Sequence, residues 1–260
     1  YIFFALNPLV IFFLMLVVTA GLSGNTSTAD VSIPTPYSLP LSHGTETSQS
    51  FWYTLRGADR SISYPFYSGV NDYFASVSAP EANLSQGGEH LDFVNNYRQE
   101  KYLRDFVASI RSSAASPDDQ ARIAVSLVQH IPYDSSKAEM NDAGRWFNSY
   151  YPYEVLYNNR GKCDEKSHLL AFLLKELGFG TVIFEFPGEK HSAVGIKRPD
   201  AYAFRNTGYA YIESTSPSII TDTSIQAGSM KIRDFSNPVV IKISDGSAMT
   251  SLGEEFADAR

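Results

Sequence analysis

Two spacings organise the apolar positions along this chain. A three-to-four spacing runs through Leu103, Phe106, Val107 and Ile110, through Ile123, Ala124, Leu127 and Val128, and through Leu169, Leu170, Leu173, Leu174 and Leu177. It predicts helices over residues 102–114, 117–130 and from Cys163 to a stop at Gly178. Ser116-Pro117-Asp118-Asp119 supplies the second start: an N-cap serine, a proline at the first position and two acids in the first turn. A two-residue alternation predicts strands. It marks a hairpin over 51–67 around Arg56-Gly57-Ala58-Asp59, whose aromatics read as packing, and a second hairpin in which 181–186 and 191–197 flank the turn Pro187-Gly188-Glu189-Lys190. Further strands are expected over 209–215, 218–223 and 238–244. Residues 70–76 suggest a short helix, 79–88 a loop, and 133–153 a polar, aromatic stretch without regular structure.

Cysteine occurs once in 260 residues, at the point where a loop enters the third helix. Unpaired backbone N–H groups and the positive end of the dipole favour a thiolate there, and Arg160 and Lys162 add positive charge. A lone cysteine is also read as a small apolar core residue, and both readings stand on this stretch alone. Downstream, His191 opens a strand, sharing a face with the small residues Ala193 and Gly195 while Val194 and Ile196 point the other way. Glu213 falls in phase with Tyr209 and Tyr211 on the next strand, where a carboxylate could orient the imidazole. Thiol, base and orienting acid in this order meet the general requirement for an activated nucleophile. His168, five positions beyond Cys163, lies about 140° around the helix and is a poor base for it. His130 reads as a partner of its helix's C-terminal dipole, and Asp164 and Glu165 as groups serving the helix N-terminus.

Five pieces in order resemble the transglutaminase-like superfamily of papain-type folds: Ile131-Pro132-Tyr133-Asp134, Tyr151-Pro152-Tyr153-Glu154-Val155-Leu156, Gly161-Lys162-Cys163-Asp164-Glu165-Lys166-Ser167, His191-Ser192-Ala193-Val194-Gly195 and Tyr211-Ile212-Glu213-Ser214-Thr215. The upstream aromatics Phe51-Trp52-Tyr53 and Ile62-Ser63-Tyr64-Pro65 resemble its membrane-tethered prokaryotic branch. The resemblance implies an α+β fold in which the nucleophile-bearing helix packs on an antiparallel sheet, with Cys163 as nucleophile, His191 as general base and acid, and Glu213 as the orienting carboxylate. The family's third member is usually aspartate; glutamate is one methylene longer, so its strand must sit farther away or its side chain must bend. In a papain-type arrangement one of Trp146, Tyr151 or Tyr153 would line an oxyanion site with the N–H of Cys163.

Composition narrows the function. A net charge of −7 without a basic cluster argues against nucleic acid as a partner. One cysteine excludes an intramolecular disulfide and a multi-cysteine zinc site. No cofactor or metal motif is found, and no internal repeat or phosphate loop. Residues 1–22 carry no charge; at about 1.5 Å per residue they reach about 33 Å, against about 30 Å for a bilayer core. They read as a transmembrane helix or signal anchor, with a cleaved signal peptide as the rival. The absence of Lys and Arg between Gly21 and Leu55 places the downstream chain outside the cytoplasm. Asn25-Thr26-Ser27 and Asn83-Leu84-Ser85 are glycosylation-type triplets, weak as evidence.

The expected organisation is therefore a membrane segment over 1–22, a Ser/Thr/Pro-rich flexible linker over 23–50, a hairpin and helical segment over 51–115, a transglutaminase-like catalytic domain over 116–245 and a tail over 246–260. The expected activity is that of a membrane-anchored, extracytoplasmic thiol enzyme acting on amide bonds of a protein or peptide substrate, by hydrolysis in preference to cross-linking. A non-catalytic cell-surface binding domain with the same fold is the alternative.

Overall fold

Phe51, Tyr53, Ile62 and Phe66 point to one side of two ten-residue strands, β1 (Glu46–Leu55) and β2 (Ala58–Tyr67), and all four are buried. Arg56 and Gly57 close the hairpin, both with positive φ, as a tight two-residue turn requires. The structure, a computed structural model, describes residues 41–77, 88–142 and 148–251. The expected membrane segment, most of the expected linker, the loop over 79–87, Trp146 and the last nine residues lie outside them. No helix among the described residues is long and apolar enough to cross a membrane.

The hairpin starts earlier than its apolar alternation implies. Residues 46–50, assigned by composition to the linker, pair with Ser63 to Tyr67. These positions are mostly exposed and polar, so ladder hydrogen bonds rather than burial hold them, and composition does not register them.

Seven helices come next among the described residues: α1 (Ser68–Val77), α2 (Gly88–Val94), α3 (Tyr97–Ser112), α4 (Pro117–His130), α5 (Ser135–Asp142), α6 (Pro152–Asn158) and α7 (Cys163–Glu176). Asn96 caps α3 by accepting from the Arg98 N–H at 3.1 Å. Ser116 occupies the N-cap of α4 in extended conformation but makes no side-chain cap bond. Asp118 instead accepts from the amides and hydroxyls of Thr250 and Ser251. The expected irregular stretch over 133–153 thus contains α5 and the start of α6. α5 has no apolar stripe for periodicity to detect, and Asp134 starts it by accepting from the Lys137 N–H.

α7 ends as the glycine predicted. Gly178 takes φ +97°, its N–H reaches the Lys175 carbonyl, and the Phe179 N–H reaches the Leu174 carbonyl, the paired bonds of a Schellman motif. The chain then enters a four-stranded antiparallel sheet, β3 (Gly180–Phe186), β4 (His191–Lys197), β5 (Tyr209–Ile212) and β8 (Val239–Asp245), in the order β5-β4-β3-β8. Two short strands, β6 (Gln226–Ala227) and β7 (Met230–Lys231), pair with each other. The fold is α+β. The expected strand over 218–223 is absent: Thr221 takes φ +81° and bonds back to the Tyr211 carbonyl at 2.8 Å, while Ile220 drops into the core.

Both sheet faces are covered, so β3 and β4 are buried along nearly their whole length. One face, carrying Ile183, Val194, Ile196 and Ile212, meets Leu169, Leu170, Leu173 and Leu174 of α7. The same apolar cluster continues into α3, α4 and the β1–β2 hairpin, so the core shows no boundary at the expected division near residue 115. Met249 is buried in it as well, which makes residues 246–251 part of the fold rather than a tail. The other face, with Val182, Phe184, Phe186, Ala193 and Tyr211, is covered by Ile232 and Phe235.

Candidate active site

Cys163 is the first residue of α7. Lys162 precedes it in extended conformation, and its N–H is accepted by Glu165 at 2.9 Å, half of a capping box. Glu165 also takes the Tyr150 N–H and pairs with the Lys137 ammonium. Asp164 faces Lys162 and the Ser149 hydroxyl. Both acids therefore brace the loop around the helix start. Gly161 is packed closely, since a Cβ there would stand 3.3 Å from the Lys166 side chain. The cysteine remains partly exposed, with its Sγ 4.0 Å from the Lys190 carbonyl in the β3–β4 turn.

That turn delivers His191 beside the sulfur. The imidazole is 6% exposed, stacked on Phe186 and met edge-on by Phe235. Its Nε2 lies 3.0 Å from Glu213 Oε2 and 3.4 Å from the Tyr211 hydroxyl. Burial opposes a charged imidazole, but hydrogen bonds to Cys163 and Glu213, together with their negative charges, outweigh it and raise the pKa to about 10.

Glu213 lies just past the end of β5 and is 1% exposed. Its carboxylate is saturated: Oε2 accepts from His191 and from the Tyr211 hydroxyl at 2.9 Å, and Oε1 accepts from the Thr215 N–H at 2.8 Å and the Thr215 hydroxyl at 2.7 Å. Burial alone would raise its pKa; the bonds to His191 and Thr215 and the imidazolium charge bring it down to about 2. Tyr211 and Thr215 complete the acid's surroundings, and the signal for Tyr211 was its position two residues upstream on the same strand face.

The structure thus brings Cys163, His191 and Glu213 together. It separates the other candidates. His168 is fully buried, stacked on Phe93 with its Nε2 2.7 Å from His90 Nδ1, and burial pushes its pKa down to about 3. His130 bonds the Ser126 carbonyl at the end of α4. Neither Tyr151 nor Tyr153 offers a donor at the sulfur: the Tyr153 hydroxyl accepts the Tyr67 N–H at 2.7 Å, and Tyr151 packs against Phe74 and Phe93. Tyr133, whose backbone bridges Gly161, is the tyrosine of the preceding loop that senses the site. Burial and then negative charge at Cys163 and Asp164 raise its pKa. No group of His, Cys, Asp and Glu suited to a metal ion occurs among the described residues.

Neither the protein-family models nor the curated proteins compared with the chain give a match. A solved structure described as "Crystal structure of a TGase" is similar with 15% sequence identity and a TM-score of 0.34, over 74% of this chain and 50% of that chain.

Proposed function

We propose that this chain is a transglutaminase-like thiol enzyme that cleaves amide bonds in a protein or peptide substrate through Cys163, His191 and Glu213. The observation that carries the reading is the buried imidazole of His191, bonded to the Glu213 carboxylate at 3.0 Å and carried at the end of the turn whose Lys190 carbonyl lies 4.0 Å from the Cys163 sulfur.

An imidazolium at neutral pH favours a thiolate partner, and the thiolate attacks the substrate carbonyl. Carbon–sulfur bond formation removes the negative charge that helped to hold the proton on His191, so the imidazolium becomes more acidic as the tetrahedral intermediate forms. It then protonates the leaving amine, and the C–N bond breaks. Neutral His191 next takes a proton from water as the water attacks the thioester. Collapse releases the acid and returns the thiolate–imidazolium pair. Water is abundant, and no amine-binding feature stands out, so hydrolysis is preferred over transfer to lysine. Nucleic acid has no place in this reading. The charge-free segment over 1–22 supports anchoring to a membrane, with the enzyme on the extracytoplasmic side.

The test is alkylation by iodoacetamide at pH 6. Free cysteine is about 0.3% thiolate at that pH from its pKa of about 8.5, so a preformed ion pair should react about tenfold faster or more, even with the lower nucleophilicity of a weakly basic thiolate. Cys163→Ala should abolish the labelling and the turnover of a peptide library. A rate no higher than that of free cysteine sinks the proposal. Fast labelling without any turnover would favour a non-catalytic binding domain.

A further inference from the structure

Lys166 sits one helical turn beyond Cys163 in the buried part of α7, and its side chain is fully buried. An apolar residue would fill this position at lower cost, because a buried ammonium must be stripped of water. Burial indeed lowers its pKa to about 8, against the opposing pull of Glu213. Its three N–H donors meet three carbonyls: Ile131 at 2.6 Å, Thr215 at 3.2 Å and Gln129 at 3.4 Å. Gln129 and Ile131 lie at the C-terminal end of α4, where free carbonyls and the helix dipole attract a cation. Thr215 is different, for its N–H and hydroxyl hold Glu213 Oε1.

β5 ends at Ile212, so no strand ladder fixes the register of residues 213–218. Side chains from neighbouring helices do it instead. The Gln129 amide donates to the Glu213 carbonyl at 2.8 Å and to the Ser218 carbonyl at 3.0 Å, and accepts the Ser218 N–H at 3.3 Å. Lys166 ties Thr215 to the helix that carries the nucleophile. One ammonium thereby links the α7 backbone bearing Cys163, the end of α4 and the segment that presents the acid.

We propose that Lys166 is a positioning residue: it holds Thr215, and through it the Glu213 carboxylate, in the register that meets His191 Nε2. It touches neither the sulfur nor the imidazole. The proposal rests on the His191–Glu213 pair of the thiol-enzyme reading but needs no turnover to be tested.

The experiment tracks the titration of His191 by NMR in the full chain with 15N-labelled histidine, the signal being assigned by its loss in His191→Gln. The charged or titratable groups acting on His191 are Cys163, Glu213, Glu185 and Tyr211. Lys166→Met should lower the His191 pKa by about one unit or more, because Glu213 is released from its place. A cation acting by charge alone would give the opposite sign, since its removal relieves repulsion and raises the pKa. An unchanged or raised value in a folded Lys166→Met protein therefore overturns the proposal. If that variant does not fold, Lys166→Gln decides, since an amide retains donors but cannot span all three carbonyls. A fall of about half a unit or more supports positioning, and no fall refutes it. Alkylation of Cys163 in the same wild-type sample reports on the thiol-enzyme reading separately.

Discussion

Glu213 divides its two oxygens between partners: Oε2 faces His191 at 3.0 Å, while Oε1 is held by the backbone and hydroxyl of Thr215, two residues on along its own chain. The side chain bends back over its own segment, and Thr215 fixes the bend. Four donors on one buried carboxylate leave it little freedom to rotate, so the imidazole it addresses is fixed as well.

Glu213→Gln preserves shape but removes the charge, and its NH2 group must face donors on one side or the other. The His191 pKa should fall from about 10 by about 1–3 units. Stability should drop by about 1–3 kcal/mol from the unsatisfied buried donors. Histidine NMR titration and denaturant unfolding check the two parts. A His191 pKa that stays near the wild-type value would show that the carboxylate is not what sustains the imidazolium.

The pair also fixes a pH dependence of stability. Glu213 has a folded pKa of about 2, below its unfolded value, so its contribution is present above about pH 4.5 and is lost as pH falls toward 2. His191 has a folded pKa of about 10, above its unfolded value, so its contribution is complete below about pH 6.5 and is lost as pH rises toward 10. The stability difference between wild type and Glu213→Gln should therefore be largest between about pH 4.5 and 6.5, and shrink on both sides. Urea unfolding of the two proteins across pH 3–10 measures it. A difference still growing at pH 9 contradicts the assignment.

How much of this was legible without coordinates depended on whether burial or hydrogen bonding held the residue. Leu169 to Leu174, Val194 and Ile196 announce their core faces by period, and Gly178 and Pro117 punctuate the helices in the expected places. Cys163, His191 and Glu213 were visible as residue types at element boundaries, and the pairing of Tyr211 with Glu213 was implied by strand phase. What escaped is held by polar contacts over long separations. Residues 46–50 pair with β2 through the backbone, α5 has no apolar stripe, and Met249 reaches the core because Asp118 binds the two residues after it. Lys166 and Gln129 carry no local signal, for their partners lie 35 to 89 residues away.

His168 makes a contrasting acid-side prediction. Its folded pKa of about 3 lies below the unfolded value, so the unfolded chain binds a proton that the folded one refuses, and this residue costs stability as pH falls from about 6.5 to 3. In His168→Phe the ring stacking on Phe93 is kept and the titration removed. The variant should lose some stability at pH 7, where His90 is left without its 2.7 Å partner, yet show a shallower decline between pH 6.5 and 4. Thermal melts at those pH values decide, and an unchanged slope would mean that the acid sensitivity lies elsewhere.

Gly195 lies four residues beyond His191 on the same face of β4, where small side chains were expected to leave room for another element. The room is taken by the neighbouring strand: a Cβ at Gly195 would stand 2.5 Å from Val182 Cγ2 and 2.8 Å from the Phe184 ring. Contacts that short force rearrangement, and overpacking of this kind costs about 1–3 kcal/mol. Gly195→Ala should therefore lower the melting temperature by about 2–4 °C for each kcal/mol lost. Part of the clash is with the Phe184 ring, so trimming that ring should relieve part of the strain. Gly195→Ala combined with Phe184→Leu should be more stable than the sum of the two single effects, as residues in contact are not additive. Strict additivity in a double-mutant cycle would place the cost of the methyl group somewhere other than against Phe184.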